Sequence, residues 1–216
     1  MTENLFEAQY DLTKKSKLKK FYDSYKIFIY SSIIFILIAF GSITYYLESK
    51  EKKRILLSEN YLQAKIYLES DKKEEAKKIL KEIIFKNDNT YSTLSFFLIL
   101  NQRLITDYGE LSNIFNHILE NNKFEKEIES LLIYKQGVLN SNYVDEAKML
   151  TDLGPLLSDK ENLWRPHALL LLGDYFISKN QNLKAIEFYT QILSIKDLHR
   201  DIYEQAKSRL SFIAND

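Results

Sequence analysis

Cysteine is absent from this chain of 216 residues, and proline and glycine are scarce at two and five. Without thiols there is no disulfide, no thiolate nucleophile and no Cys-ligated zinc or iron-sulfur centre. So few turn formers cannot serve the many tight turns of a β-sandwich or barrel. They also leave no Gly-rich loop to cradle a phosphate, and no G-x-S-x-G, Walker-type or G-x-G-x-x-G motif occurs. Excess charge is missing too. Thirty Lys plus Arg balance 30 Asp plus Glu, so no net field attracts a polyanion and nucleic acid is not an expected partner. The histidines, His117, His167 and His199, fall on three separate segments without a second His or a carboxylate at ligand spacing on the same helix face, which argues against a metal site. Nothing nucleates a catalytic centre, so neither an enzyme nor a cofactor is expected.

What remains is rich in Leu, Ile, Lys and Glu, a helix-forming composition. Residues 27–47 carry no charge over 21 positions, which at about 1.5 Å per residue spans roughly the 30 Å hydrocarbon layer. Tyr22, Tyr25 and Tyr30 at one end and Tyr45 and Tyr46 at the other stand where amphipathic rings settle at the two interfaces. A removable signal peptide has a shorter apolar core and a small-residue cleavage site; this run ends in Tyr45-Tyr46-Leu47-Glu48 and reads as an uncleaved transmembrane helix. Lys14, Lys15, Lys17, Lys19, Lys20 and Lys26 precede it, against Lys50, Lys52, Lys53 and Arg54 after it. That bias predicts a cytoplasmic tail at 1–26, a charged connector at 48–56 and a periplasmic domain at 57–216. Ser32, Ala39 and Ser42 share one helix face and are candidates for contact with another membrane helix, although no small-xxx-small pair occurs and serines here also bond to their own backbone.

Beyond the connector the chain reads as all-α, in amphipathic segments separated by polar clusters. Leu111, Ile114, Phe115, Ile118 and Leu119 form one apolar stripe, and Ala76, Ile79, Leu80, Ile83 and Ile84 form another. Asp71 and Glu74 look like a cap pair for the latter segment, with Glu74 and Lys78 available as an i, i+4 ion pair. Phe96-Phe97-Leu98-Ile99-Leu100 reads as a buried helix, and His117, among Asn116 and Glu120, as a solvated residue. The runs Lys72-Lys73-Glu74-Glu75 and Lys77-Lys78 mix signs as a solvent face does. Short polar turns at 70–72, at Asn140-Ser141-Asn142 and at Asn180-Gln181-Asn182 fold neighbouring segments into antiparallel hairpins. Gly154-Pro155 is expected to end or bend a helix, and Pro166 suits a first turn.

The hairpins carry a repeat. Leu169, Leu172, Gly173, Phe176, Ala185, Tyr189 and Ile192 occupy the large-large-small-aromatic and small-aromatic pattern of tetratricopeptide repeats, and Ala64, Tyr67, Ala76, Leu80 and Ile83 fall on the same frame. A small residue is needed on each helix where two backbones cross closely. Ala64, Ala76, Ala147, Gly173 and Ala185 are therefore the expected repeat-packing positions, giving two clear repeats and two degenerate ones, the stretch 91–121 matching only in length and amphipathicity. Leu198, Ile202, Ala206, Leu210 and Ile213 form the stripe of a C-terminal capping helix that closes an α-solenoid.

With its single N-terminal span and helical repeats, and with Asn162-Leu163-Trp164-Arg165 leading into Ala168-Leu169-Leu170-Leu171-Leu172-Gly173 and Ala185, the chain resembles the YfgM-like family of bacterial inner-membrane proteins. The resemblance implies a periplasmic tetratricopeptide-like domain. It also implies an ancillary role at the Sec translocon, with translocon subunits and a membrane-anchored periplasmic chaperone of the prolyl-isomerase type as partners. A scaffold for cell-envelope assembly complexes is the other role open to such a module. On the repeat frame, the partner-facing side presents Tyr61, Lys65, Leu68 and Glu69 in the first hairpin and His167, Leu170, Asp174 and Ile177 in the last, although several of these also suit packing against the next repeat.

Overall fold

The computed structural model describes residues 17–214, and among them are nine α-helices and no strand. In chain order they are α1 (Lys17–Glu69), α2 (Lys73–Ile84), α3 (Tyr91–Asn101), α4 (Tyr108–Asn121), α5 (Lys126–Asn140), α6 (Glu146–Ser158), α7 (Arg165–Ser178), α8 (Asn182–Leu193) and α9 (Arg200–Ala214). The chain divides into two compact units, Met1–Ile55 and Leu56–Asp216.

In the first unit the uncharged run is wholly helical and its large side chains are exposed, which makes it long and apolar enough to cross a membrane, with a mean hydropathy of 2.3 over its most apolar stretch. Its hydroxyls return to their own backbone: Ser42 donates to the Ile38 carbonyl at 2.8 Å and Ser31 to that of Phe28 at 2.9 Å. An apolar surround offers no other acceptor, so this bond keeps the hydroxyl satisfied. Residues 1–16 of the tail, with Lys14 and Lys15, lie outside the described residues. The connector expected at 48–56 is helical, without Gly or Pro to interrupt it and with Glu48 and Lys52 paired at 2.7 Å one turn apart.

The second unit is a helical solenoid whose period shows in burial. On α2, α4, α6 and α8, three buried positions recur at intervals of four and then three residues: Ala76, Leu80, Ile83; Leu111, Phe115, Ile118; Met149, Leu153, Leu156; Ala185, Tyr189, Ile192. The helix before each supplies the crossing residue: Ala64, Phe96, Gly137 and Gly173. Seven residues beyond Ala64, Phe96 and Gly173 the chain turns through a left-handed residue, Asp71 at φ 56°, Arg103 at 50° and Asn180 at 57°. The next amide, of Lys72, Leu104 or Gln181, then donates back to the carbonyl of Tyr67, Ile99 or Phe176 at 2.8, 3.0 or 2.9 Å. This is the Schellman closure of a helix end, repeated in three hairpins. From α2 onward neighbouring helices pack on one another, most closely α7 on α8, and α3 lies closer to α2 than to α4.

Several expectations are corrected. Ala147 is exposed, and Met149, twelve residues after Gly137, fills the buried position instead; the flexible thioether can pack where the frame elsewhere has alanine. The stretch 91–121 stays degenerate: Phe96 stands where Ala64 and Gly173 stand in their helices, the turn at 102–107 is longer than those at 70–72 and 179–181, and α3 packs more closely on α2 than on α4. Asp71 does not cap α2, since it sits left-handed in the turn and α2 starts behind Lys72, which makes no side-chain cap. The capping aspartates are Asp107 and Asp145, accepting from the amides of Glu110 at 2.7 Å and Lys148 at 2.9 Å. Glu74 pairs with Lys77 at 2.6 Å rather than with Lys78, for i, i+3 neighbours on a helix lie as near as i, i+4. Helix α6 runs through Gly154-Pro155 to Ser158; so near its end, proline removes only one amide donor. His117 is half-buried, its Nε2 2.8 Å from Oδ1 of Asn87 and its ring 4.6 Å from that of Phe85, so it ties α4 to the end of α2.

Two apolar clusters form the core, one from Ala64 to Leu132 and the other from Met149 to Ala206, and they meet at α5. The buried polar residues are Ser92, Thr93 and Ser95 on α3 and Ser130, Gln136 and Asn140 on α5. Partners satisfy those of α5: Gln136 donates to Asn116 at 2.7 Å, Asn140 donates to Asp152 at 2.8 Å and accepts from the Tyr108 hydroxyl at 3.2 Å, and Asn162 donates to Ser130 at 2.9 Å.

Candidate partner-binding surface

Helices α1, α3, α5 and α7 are the first helices of their hairpins, and one register recurs on them three residues before, one after and four after the crossing residue. It selects Tyr61, Lys65 and Leu68 on α1 and Leu170, Asp174 and Ile177 on α7. With the second and third frames in place it adds Thr93, Phe97 and Leu100 on α3, Tyr134 and Val138 on α5, and Ser141 at the end of α5. These six escaped sequence reasoning because the frame of the middle hairpins was hidden; the buried 0, +4, +7 spacing on α4 and α6 is the signal that recovers them.

The expected site residues differ in their surroundings. Lys65 and Glu69 are exposed, while Tyr61 and Leu68 are half-buried, with the Tyr61 ring 6.2 Å from that of Tyr91. His167, Leu170, Asp174 and Ile177 are all half-buried. His167 lies against an aromatic pair from two helices: the rings of Tyr134 and Trp164 stack at 5.2 Å, and the imidazole is 5.8 Å from the first and 5.0 Å from the second. Burial holds the His167 pKa below its ordinary value and outweighs the Leu163 carbonyl, which favours the charged form. Burial likewise raises the pKa of the Tyr134 phenol, helped by the charge of Asp174.

Asp174 is occupied within the chain. It accepts the Tyr189 hydroxyl at 2.7 Å and is gripped by Arg209, whose Nη2 donates to Oδ2 at 3.0 Å and whose Nε reaches Oδ1. One carboxylate thus links α7 to α8 and to the capping helix α9. Of the α9 stripe, Ile202 and Ala206 are buried and Leu198, Leu210 and Ile213 pack against them. Two cavities flank α7. One of about 400 Å³ is lined by His167, Arg165, Leu163, Lys196 and His199 among others, and one of about 250 Å³ by Asp174, Ile177, Arg209, Phe212 and Ile213 among others. Among the described residues no group of three His, Asp or Glu stands ready to hold a metal ion.

These helices carry a family signature. Residues 166–197 match the tetratricopeptide repeat. The match covers α7 and α8, the hairpin in which Gly173 meets the Tyr189 ring, and the tetratricopeptide repeat is a protein-binding fold. No curated protein and no solved structure matches the chain.

Proposed function

We propose that this chain is a membrane-anchored protein-protein interaction module, working as an ancillary component beside the Sec translocon and linking export to membrane-anchored periplasmic chaperones. The observation that carries the interaction role is the tetratricopeptide repeat at 166–197, whose inner register sets the half-buried Leu170 and Ile177 on either side of Asp174. The apolar helix through 27–47 supports the anchor. Its lysine flanks support a cytoplasmic N-terminus with a periplasmic domain at 57–216. The Sec-associated role rests on the resemblance to the YfgM-like family.

Photo-crosslinking from a residue placed at Leu170, in intact membranes, tests this. Translocon subunits or a periplasmic chaperone are the expected captures. Recovery of envelope-assembly enzymes instead would make the protein a scaffold, and recovery of cytoplasmic proteins alone would overturn topology and role together. Added protease should cleave the domain only after the outer membrane is opened.

A further inference from the structure

Only one flank of the uncharged run concentrates charge of a single sign. Residues 14–26 hold six lysines, Lys14, Lys15, Lys17, Lys19, Lys20 and Lys26, against the one acid Asp23, and the other acids of the tail, Glu3, Glu7 and Asp11, all precede Lys14. Beyond the run, Lys50, Lys52, Lys53 and Arg54 alternate with Glu48 and Glu51, and Lys52 is already paired with Glu48 at 2.7 Å. The first cluster is also fixed in height. Helix α1 starts at Lys17 and enters the run without a break, so at about 1.5 Å per residue Lys26 stands at its edge and the position of Lys20 about 10 Å further out. That interval takes in the headgroup layer, roughly 5–8 Å deep, and its aqueous margin. At about 3.6 residues per turn, positions 17 and 20 fall on one side of the helix and 19 and 26 on the other, so no side lacks a cation. Phe21, Tyr22 and Tyr25, all exposed, lie at the same level, where aromatic rings settle among headgroups and hold a helix at its depth.

We infer that residues 14–26 gather anionic phospholipid, whose phosphate charge no headgroup amine balances, around the N-terminal end of the span. This rests on the membrane-anchor reading above and names the lipid that the anchor selects. Each ammonium offers three donors to phosphate oxygens, and each lysine close to an anionic surface adds its own increment of attraction. A zwitterionic lipid brings a cation with every phosphate and returns little of this. The attraction acts across the wet headgroup layer, so salt screens it.

The test uses the full chain in vesicles of phosphatidylcholine with a minor share of phosphatidylglycerol. The chain has no cysteine, so Thr13→Cys supplies a single attachment point for a fluorescent donor. Energy transfer is then measured to trace phosphatidylglycerol or trace phosphatidylcholine, each with the same acceptor on an acyl chain. The ratio should report enrichment of phosphatidylglycerol by about threefold or more at low salt, falling toward parity in about 1 M salt, where the Debye length is roughly 3 Å. Lys→Gln at all six positions should abolish the preference, while glutamine at Lys50, Lys52, Lys53 and Arg54 leaves it in place. Lys14→Gln, Lys15→Gln and Lys17→Gln together keep the three lysines nearest the span; they should lower the preference partway, and they serve if the sixfold variant does not insert. Equal transfer to the two lipids at low salt, from a chain that resists alkaline washing, would overturn this inference and leave the anchor standing. So would a preference indifferent to the six lysines or to salt. A chain stripped by alkali from vesicles with and without phosphatidylglycerol would overturn anchor and inference alike.

Discussion

Gly173 of α7 and Tyr189 of α8 share one volume: a Cβ built on the glycine would lie 2.2 Å from Cε1 of the tyrosine ring. Tyr189 is fully buried and its hydroxyl is anchored to Asp174, so the ring cannot simply swing aside. Gly173→Ala is therefore expected to cost about 1–3 kcal/mol by overpacking. The thermal midpoint followed by circular dichroism should fall by about 2–4 °C for each of those kcal/mol. Gly109 of α4 is the control, since a Cβ there meets only Oδ1 of Asp107, at 3.4 Å. Gly109→Ala should leave the midpoint unchanged or raise it, by up to about 1 kcal/mol of helix propensity. Equal effects at the two positions would dismiss the crossing argument.

Phe96 stands where the first and last hairpins have Ala64 and Gly173, and its ring meets that of Phe115 edge to face at 4.5 Å. Replacing it with the small residue of the frame should not regularise the repeat. Phe96→Ala is expected to cost about 3–5 kcal/mol, because the neighbours are built around the ring. A chemical-denaturation midpoint equal to that of the parent chain would show that the pocket collapses without loss.

The bond from Arg209 to Asp174 is more than a third exposed on both sides, so its value is modest, roughly 1 kcal/mol or less after solvent screening. Asp174→Asn and Arg209→Gln, singly and together, should give a coupling energy of that size that shrinks in high salt. Its structural consequence is local. Hydrogen exchange of the α9 amides should quicken while that of the α5 amides stays the same; a uniform change along the chain would contradict a role confined to docking the capping helix.

His167 adds a pH dependence whose sign follows from its lowered pKa. The unfolded chain takes up the proton first as pH falls below about 6.5, while the folded chain resists, so the unfolded state binds more protons and stability declines on acidification. Above that pH both states are neutral and the residue contributes no slope. Thermal midpoints measured between pH 7.5 and 5, at about half-unit steps around the ordinary histidine value, should fall less steeply in His167→Gln than in the parent chain. Identical slopes would mean that other groups set the acid sensitivity.

How far the sequence discloses this arrangement depends on where small residues stand. Ala64, Ala76, Gly173 and Ala185 mark two crossings openly, and the hairpins they define appear in the structure, as do the all-helical solenoid and an apolar N-terminal helix. Between them the large Phe96, its ring on Phe115, and Gly137, where a Cβ would meet Leu153, face the larger Leu111 and Met149 at the positions of Ala76 and Ala185, so that no pair of small residues marks the frame. Ala147 misleads because it lies two residues from the true site, on the exposed side of α6. The polar residues buried on α3 and α5 blur amphipathicity further, since Gln136 and Asn140 look solvent-bound until Asn116, Asp152 and Tyr108 are seen to bond them. The register on α5 is hidden for the same reason: Tyr134 and Val138 are located by a frame that spacing alone does not reveal.

The packing of neighbouring helices on one another from α2 onward bears on how the chain is made. Contacts that reach little further than the neighbouring hairpin give a low contact order, which in helical proteins accompanies folding in microseconds to milliseconds. Synthesis, at about 5–20 residues per second, is far slower, so each hairpin has time to close on the one completed before it. A nascent chain wired this way carries a finished, ordered prefix at every length, with one raw edge awaiting the next hairpin, and α9 is the piece that finally seals it.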